Sequence, residues 1–200
     1  MRRSTTVTTQ TEVSADITAE LYALYLTSFA HLEQLAAARH LLHEDEFTDM
    51  VEDRRILKYI AWDTEGSPIG LCTVAGNLDA VPWVSPGFYA HRFPEHYARG
   101  AIHYVGVMLV HPSAQGAGAF KQMARMIASA AAEVGAVLAW DLCESNQSAG
   151  VHRLFSTMLT TLTGATSSEV DRQIYFGAVV EQGSFTSDAR PAEPAAQAGP

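Results

Sequence analysis

A glycine-rich segment follows the most strand-like stretch of the chain, residues 102–110, and opens an alanine-rich helical stretch at residues 119–134. Its small residues keep side chains away from the main chain, so a phosphate group can approach the backbone N–H groups. The first turn of a helix adds free N–H groups and the positive end of the helix dipole, which together bind anions. The segment therefore predicts a pyrophosphate site formed by Gln115, Gly116, Ala117, Gly118, Ala119 and Phe120.

Two common phosphate-binding loops do not fit this segment. A Walker loop ends in Gly-Lys-Ser/Thr, and that triplet does not follow here. A Rossmann turn has a different glycine spacing, and the present segment lies past the middle of the chain. The alternative to a phosphate site is a plain glycine-rich turn that only reverses the chain.

The segment resembles the coenzyme A loop of the GNAT superfamily of acyl-CoA-dependent N-acyltransferases. That loop has the pattern Gln/Arg-x-x-Gly-x-Gly/Ala, a few residues after Val-x-Pro. The residues that match are Val110-His111-Pro112 and Gln115-Gly116-Ala117-Gly118. Phe120 departs from the pattern, because Gly or Ala is usual at its position. The resemblance implies an N-acyltransferase that takes its acyl group, acetyl in the first instance, from acyl-CoA and gives it to a small-molecule or peptide amine.

The resemblance also implies how the rest of the co-substrate is held. In that superfamily the main chain of the strand before the loop binds the thioester carbonyl and pantetheine, which here indicates Met108, Leu109 and Val110. Such a donor to a developing oxyanion is worth roughly 3 kcal/mol. An Asn after the next strand contacts the pantetheine arm, and Asn146 is its counterpart, although a helix-capping Asn would look the same. The cations Lys121 and Arg125 could meet the adenosine phosphates, or they form a solvated helix face.

The acid–base residues depart most from the family. Its usual base position on strand 102–110 holds Tyr104, which is the candidate catalytic residue although Tyr titrates at about 10. The family's Tyr that protonates the departing thiolate is replaced by Phe155, which has no proton to give. The base could instead come from His91, Glu95 or His96. No role is predicted for Asp141 and Glu144, which flank the same crevice.

Residues 77–100 are predicted to be a long irregular loop that forms one wall of the acceptor site. The stretch is too aromatic for disorder, since it contains Trp83, Phe88, Tyr89, Phe93 and Tyr97. A loop with this much apolar surface favours a ligand-binding role. We therefore expect Trp83, Phe93 and His96 to contact the acceptor.

The elements that must hold these residues read as an α/β chain. Hydrophobic periodicity and turn residues predict strands at 5–13, 58–62, 69–75, 102–110, 136–143 and 173–180, and helices from 17, at 32–42, 44–51, 119–134 and 150–162. This order fits the GNAT-like fold from residue 7 to residue 180. The resemblance thus implies a mixed, mostly antiparallel sheet that splays near its centre, with helices on both faces.

Composition limits the partners of the chain. With 48% apolar and 18% charged residues, its 200 residues are expected to form one acyltransferase domain, 1–182, and a disordered tail, 183–200. A net charge of −9 argues against binding to nucleic acid or an anionic membrane. Two cysteines suggest neither a disulfide scaffold nor a zinc site, and no metal is predicted. Without a signal peptide or membrane-spanning stretch, a cytoplasmic location is expected, and the resemblance allows a homodimer.

Two other functions remain open from the sequence. A GNAT-like domain that holds acyl-CoA or another ligand without transferring the acyl group would explain the missing base and Phe155. A relative of the N-acyl amino acid and acyl-homoserine-lactone synthases would use a long acyl chain instead of acetyl. The acceptor itself is not indicated by the sequence, since a fold does not specify a substrate.

Overall fold

The computed structural model of the chain describes residues 5–116, 118–180 and 182, and its centre is a five-stranded mixed sheet. Ala117 and the predicted tail, 183–200, lie outside these residues. The strands follow one another across the sheet in chain order, as β1 (Thr6–Gln10), β2 (Ile56–Trp62), β3 (Pro68–Ala75), β4 (Ile102–Val110) and β5 (Val137–Trp140). The first four strands pair antiparallel, and β5 runs parallel to β4.

Helices cover both faces of this sheet, as predicted. The described chain contains α1 (Ala15–Phe29), α2 (Glu44–Glu52), α3 (Pro86–Arg92), α4 (Pro94–Ala98), α5 (Ala119–Val134), α6 (Glu144–Ser148) and α7 (Val151–Thr163). Successive side chains of a strand point to opposite faces. Accordingly Ile60 and Leu71 pack with α1 and α2, while Ala61 and Cys72 pack with α5 and α7. None of the described helices has the length and apolarity that a membrane crossing requires.

The helix α5 has a glycine with positive φ at each end and an arginine that binds its C-terminal carbonyl groups. Gly118 precedes it with φ +92°, and Gly135 ends it with φ +57°. The Arg99 guanidinium donates hydrogen bonds to the carbonyl oxygens of Val134 and Gly135. Because those carbonyls lack partners within the helix, a cation is well suited to this end. The segment before β4 is thereby attached to the far end of the helix that begins at the glycine-rich segment.

The predicted helix at 32–42 is wrong. A short 3-10 helix, Ala30–Gln34, follows α1, and the chain then continues without regular structure to α2. The buried Tyr25 accounts for this path, because its hydroxyl donates to the His40 carbonyl at 2.6 Å and accepts the Leu42 N–H at 2.9 Å. These tertiary hydrogen bonds hold the backbone away from the helical path that the apolar spacing predicted.

The predicted irregular loop at 77–100 is also corrected, because it contains α3 and α4. Pro86 and Pro94 are the first residues of these helices, a position where proline loses no hydrogen bond. At the other end of the sheet, β5 is shorter than predicted, and the unpredicted α6 begins at Glu144.

The predicted last strand, 173–180, is absent from the described residues. The chain divides into two compact units, and its described residues from 169 onward belong to the second. Within that unit residues 169–180 have no regular secondary structure, although Arg172 and Glu169 form an ion pair at 2.8 Å. A high β-propensity in residues 173–180 is therefore not enough to form a strand, because a strand also needs a neighbouring strand with which to pair.

Candidate functional site

The sheet opens between β4 and β5. Their parallel pairing runs from Ile102–Val137 to Val105–Trp140 and ends there. On its other side, β4 continues to pair with β3 as far as Val110, which lies opposite Gly70. In the described sheet the edge of β4 from residue 106 to residue 110 therefore has no strand beside it on the β5 side.

A β-bulge marks the start of this open edge. Two residues of β4, Gly106 and Val107, stand opposite the single residue Thr73 of β3. The Thr73 hydroxyl accepts the Val107 N–H at 2.8 Å, and a Cβ at Gly106 would lie 3.1 Å from that oxygen. The glycine and the buried threonine together allow the strand to deviate at this point.

The three residues predicted to bind pantetheine, Met108, Leu109 and Val110, differ in the direction of their backbone N–H groups. The His111 N–H donates to the Ile69 carbonyl at 2.8 Å, so it points towards β3, as the Val107 N–H does. Alternate N–H groups of a strand point to the same side. The N–H groups of Met108 and Val110 therefore point to the open side, whereas that of Leu109 points towards β3. Leu109 is also buried in the core and does not reach the open edge.

The glycine-rich segment follows directly on this strand. Gly116 and Gly118 have φ values of +86° and +92°, and a Cβ at either position would meet open space. The first hydrogen bond within α5 runs from the Gln122 N–H to the Gly118 carbonyl at 3.0 Å. The N–H groups of residues 119–121 are thus without acceptors inside the helix.

The side chains around this helix start differ in exposure. Gln115 is exposed, Ala119 is buried, and Phe120 is half-buried with its ring edge-on to Phe155 at 6.4 Å. Gly118 shares an open depression of about 500 Å³ with the two predicted phosphate-binding cations, and the residues that line it are Gly118, Lys121, Gln122, Arg125 and Met126. Cationic side chains therefore lie beside the N-terminal turn of α5, as a phosphate site requires.

Tyr104 is buried at the point where the strands separate. Its hydroxyl donates a hydrogen bond to the Asp141 carboxylate, which directly follows β5. Burial raises the pKa of Tyr104 far above its usual value, the negative charge of Asp141 raises it further, and a hydrogen bond from the Trp83 side chain only partly opposes them. Tyr104 therefore keeps its proton at neutral pH and donates it in the hydrogen bond to Asp141.

Two of the residues predicted to contact the acceptor, Trp83 and Phe93, differ in their exposure and in their distance from Tyr104. Trp83 is 55% exposed, and its ring comes within 4.0 Å of the Cβ position of Gly106. Phe93 lies behind the site, because it stacks on Tyr89 at 6.3 Å and Tyr89 in turn meets Tyr104 edge-on at 6.5 Å. The structure thus brings Trp83 to Tyr104 and gives Phe93 a supporting position.

The other candidates in the aromatic stretch lie on its short helices. His96, the third predicted acceptor residue, is half-buried on α4, where its carbonyl accepts the Ala101 N–H at 2.8 Å. The alternative bases His91 and Glu95 are exposed on α3 and α4. The contacts around Tyr104 are made instead by Trp83, Tyr89 and Asp141.

Asn146 and Phe155, the two candidate residues that follow β5 in the chain, lie in different surroundings. Asn146 is half-buried in α6, which starts just after β5. Phe155 is only 4% exposed, and its ring meets that of Trp140 edge-on at 5.0 Å. Phe155 is therefore a core residue of α7.

Two residues of this region were not given a role from the sequence. Asp141 is the first polar residue after an apolar strand, and Thr73 is a hydroxyl inside another. Each could have been noticed by its polarity, but their partners lie 37 and 34 residues away in the chain. No group of three His, Cys, Asp or Glu side chains suited to a metal ion occurs in the described part of the chain.

No protein-family model matches this sequence, and no curated protein matches it significantly. Solved structures do resemble its fold. The aminoglycoside antibiotic 6'-N-acetyltransferase AAC(6')-Ih from Acinetobacter baumannii is 14% identical with a TM-score of 0.52, over 89% of this chain and 100% of that one. The ribosomal-protein-alanine N-acetyltransferase from Brucella melitensis biovar Abortus 2308 is 16% identical with a TM-score of 0.51, over 86% and 100%.

A third similar structure is AAC(6')-Iy in complex with the bisubstrate analog CoA-S-monomethyl-acetylneamine. It is 14% identical with a TM-score of 0.50, over 88% of this chain and 99% of that one. At these identities the likeness concerns the fold. The opened β4–β5 pair, the glycine-rich turn and the helices on both faces of the sheet agree with it. The chain has the fold of the GNAT superfamily of N-acyltransferases.

Proposed function

We propose that this protein is an N-acetyltransferase that moves the acetyl group of acetyl-CoA to an amine. The observation that carries the proposal is the continuity of two features. The unpaired edge of β4 leads directly into the glycine turn and the free N–H groups of α5. Acetyl-CoA carries a thioester at one end and a pyrophosphate further along. The N–H groups of the β4 edge would serve the thioester, and those of α5 would serve the pyrophosphate.

The phosphate end of acetyl-CoA would lie at the start of α5. The N–H groups of residues 119–121 would donate to the pyrophosphate, and Gly116 and Gly118 leave room for it. Lys121 and Arg125 would pair with the adenosine phosphates. The predicted contribution of Gln115 is its main chain, because its side chain is exposed. Asn146 at the start of α6 would contact the pantetheine arm.

The reacting end would lie along the open edge of β4. The N–H of Met108 or of Val110 would donate to the thioester carbonyl oxygen and stabilise the negative charge that develops there. The amine would attack the carbonyl carbon directly, within a ternary complex. As the C–N bond forms and the C–S bond breaks, coenzyme A leaves as a thiolate that takes up a proton. Trp83 would form the wall against which the acceptor lies.

A ligand-binding module without turnover is the second candidate. Two observations favour it, namely the burial of Tyr104 with its hydroxyl bonded to Asp141 and the burial of Phe155 in the core. Such a module would use the same donors for coenzyme A and would hold an acyl-CoA without transferring its acyl group.

Binding and turnover should be measured separately. Thermal shift with acyl-CoAs of increasing chain length should give the largest rise in Tm with acetyl-CoA, because ligand binding stabilises the folded state. Release of free coenzyme A from acetyl-CoA should then depend on an added amine. Binding without release, over a panel of polyamines, aminoglycosides, amino acids and peptides, would select the module. A best response to long acyl chains would indicate a long-chain N-acyltransferase.

A further inference from the structure

We propose that His152 is the acid that gives a proton to the coenzyme A thiolate as the acetyl group is transferred. The inference rests on the proposed acetyl transfer and adds to it a catalytic residue that no sequence motif indicated. It starts from the proton that the leaving thiolate takes up, which the ring of Phe155 cannot supply.

Four rings form a row that runs from the start of α5, along α7, to the end of β5. The ring centroids of Phe120 and Phe155 lie 6.4 Å apart, and those of Phe155 and Trp140 lie 5.0 Å apart. His152 ends the row, because its half-buried imidazole stacks on Trp140 at 5.8 Å with 28° between the ring planes. It is the one ring of the four that exchanges a proton readily near neutral pH.

The two ends of this row coincide with the two ends of the proposed coenzyme A site. Phe120 lies in the first turn of α5, where the free N–H groups would bind the pyrophosphate. Trp140 is the last residue of β5 that pairs with β4, and it lies opposite Val105, where the unpaired edge of β4 begins. A pantetheine arm that runs from the pyrophosphate to this edge would follow the row, so the sulfur would arrive at the end that His152 occupies.

The Tyr104 hydroxyl lies near the same point but is engaged on the other face of the sheet. It donates its hydrogen bond to Asp141, and its ring meets Tyr89 edge-on. The next residue of β4, Val105, belongs to the opposite face and packs in the same core cluster as Phe155. On the α7 side of the opened strands, the group that the row brings to the sulfur is therefore the imidazole of His152.

Two hydroxyl groups connect this imidazole to the outer face of α7. The Ser156 hydroxyl oxygen lies 3.3 Å from Nε2 and 3.4 Å from Nδ1 of His152. The Ser167 hydroxyl donates to that oxygen at 2.7 Å, so the Ser156 proton is left to point to the imidazole. His152 and Ser156 also line an open depression of about 390 Å³. A proton that His152 gives to the sulfur can therefore be replaced from the solvent side.

The chemical step balances as follows. The neutral nitrogen of the amine attacks the thioester carbonyl carbon, which forms the C–N bond. The C–S bond breaks with its electron pair on sulfur, and the sulfur takes the proton of the His152 imidazolium. The nitrogen loses one proton to solvent, and the imidazole regains one through Ser156. The products are the amide and the free thiol, and no oxidant or further co-reactant is needed.

The test compares His152→Gln with Arg153→Gln. Both variants place the same amide on the first turn of α7, but Arg153 is exposed and does not belong to the row of rings. His152→Gln should lower kcat by about 10²-fold, the lower end of general acid–base effects, because a thiolate also leaves without help. Its affinity for acetyl-CoA should stay within about 3-fold of the wild type, and Arg153→Gln should leave kcat within about 3-fold.

Ser156→Ala supplies the second readout. It should lower kcat less than His152→Gln does, and the two effects should not add in the double variant, because both act on one proton. If His152→Gln keeps the kcat of Arg153→Gln, or if it lowers kcat and the affinity for acetyl-CoA in parallel, the inference is overturned.

Nuclear magnetic resonance of the imidazole protons does not require turnover. The His152 signals, identified by their absence in His152→Gln, should shift with coenzyme A and clearly less with desulfo-coenzyme A, which has no sulfur. A wild type that binds acetyl-CoA but acetylates no amine would refute the proposed enzyme, and this comparison would still decide whether His152 faces the sulfur. Equal shifts with the two ligands overturn the inference.

Discussion

The Thr73 hydroxyl accepts the N–H of Val107 two residues beyond Val105, the last residue of β4 that pairs with β5. A single buried side chain on β3 thus satisfies the backbone group that the bulge removes from the regular ladder. The bulge in turn determines that Met108 and Val110 direct their N–H groups to the open edge. The proposed contact with the thioester therefore depends on a residue that does not line the site.

Thr73→Val should destabilise the protein and weaken acetyl-CoA binding. The substitution keeps the shape of the side chain but leaves the Val107 N–H buried without an acceptor, which costs about 1–3 kcal/mol. Thr73→Ser keeps the hydroxyl and should lose clearly less. Urea unfolding measures the stability, and calorimetry measures the affinity for acetyl-CoA. Equal losses in the two variants would show that the hydroxyl is not what matters.

Much of the fold could be predicted from the sequence. Strand β4 and helix α5 occupy the predicted residues, because each has a strong periodicity of its own and glycine or proline residues close to its ends. Segment 32–42 failed for the opposite reason, since hydrogen bonds from the distant Tyr25 decide its path. Segment 173–180 failed because strand propensity does not provide a pairing partner.

The candidate site was predicted only in part. The glycine-rich segment is local in sequence, so the phosphate site could be proposed from residues that follow one another. The bulge at Gly106 and the Tyr104–Asp141 hydrogen bond join residues from different strands, and no local pattern indicates them. The sequence also could not show that Tyr104 is buried with its hydroxyl bonded to Asp141, or that this burial raises its pKa.

Gly118→Trp should abolish coenzyme A binding, whereas Gln115→Ala should have a small effect. The indole would occupy the space that the bound pyrophosphate needs, while the Gln115 side chain is exposed. Thermal shift with coenzyme A measures the effect. A Gly118→Trp protein that is folded and binds coenzyme A normally would contradict the phosphate site.

A pair of alanine variants separates backbone strain from ligand contact. Gly118 has φ +92° and Gly66, in the β2–β3 turn, has φ +87°, with open space around the Cβ position of each. Alanine at either position should cost about 1–2 kcal/mol of stability, because L side chains disfavour this conformation. Gly118→Ala alone should also lower the affinity for coenzyme A.

Glu46 should make stability depend on pH in the acid range. Its carboxylate accepts hydrogen bonds from Arg39 at 2.5 and 2.6 Å and from the His43 N–H at 2.8 Å, at the start of α2. The Arg39 guanidinium and then the His43 N–H lower the pKa of Glu46 from 4.5 to about 2. Because the pKa is lower in the folded chain than in the unfolded chain, the carboxylate stabilises the folded state at any pH above 4.5. This contribution is lost as the pH falls from 4.5 through about 2.

The difference in Tm between the wild type and Glu46→Gln should therefore shrink as the pH is lowered from 7 to 2. Glu44→Gln removes a carboxylate from the same helix turn, outside this pair, and serves as the control. A Glu46→Gln difference that stays constant over this pH range would contradict the assignment.

Phe155→Tyr should destabilise the protein without raising turnover. The ring is packed between Trp140 and Phe120, so an added hydroxyl would be buried without an evident partner at a cost of about 1–3 kcal/mol. Leu154→Tyr adds the same ring at an exposed neighbouring position and should be tolerated. Urea unfolding and steady-state kcat are the measurements. A higher kcat at unchanged stability would mean that residue 155 reaches the leaving thiolate after all.

Trp83→Ala and Phe93→Ala should separate the surface of the acceptor site from its support. Trp83 is exposed beside Gly106, so its loss should raise the KM of the acceptor by about 10-fold, with little change in stability or in acetyl-CoA affinity. Phe93 is half-buried against Tyr89, so its loss should lower the free energy of unfolding by about 2–4 kcal/mol and affect KM only secondarily. Steady-state kinetics and urea unfolding of both variants distinguish the two roles. If Trp83→Ala lowers the affinities for acetyl-CoA and for the acceptor equally, the indole supports the fold of the site and does not line it.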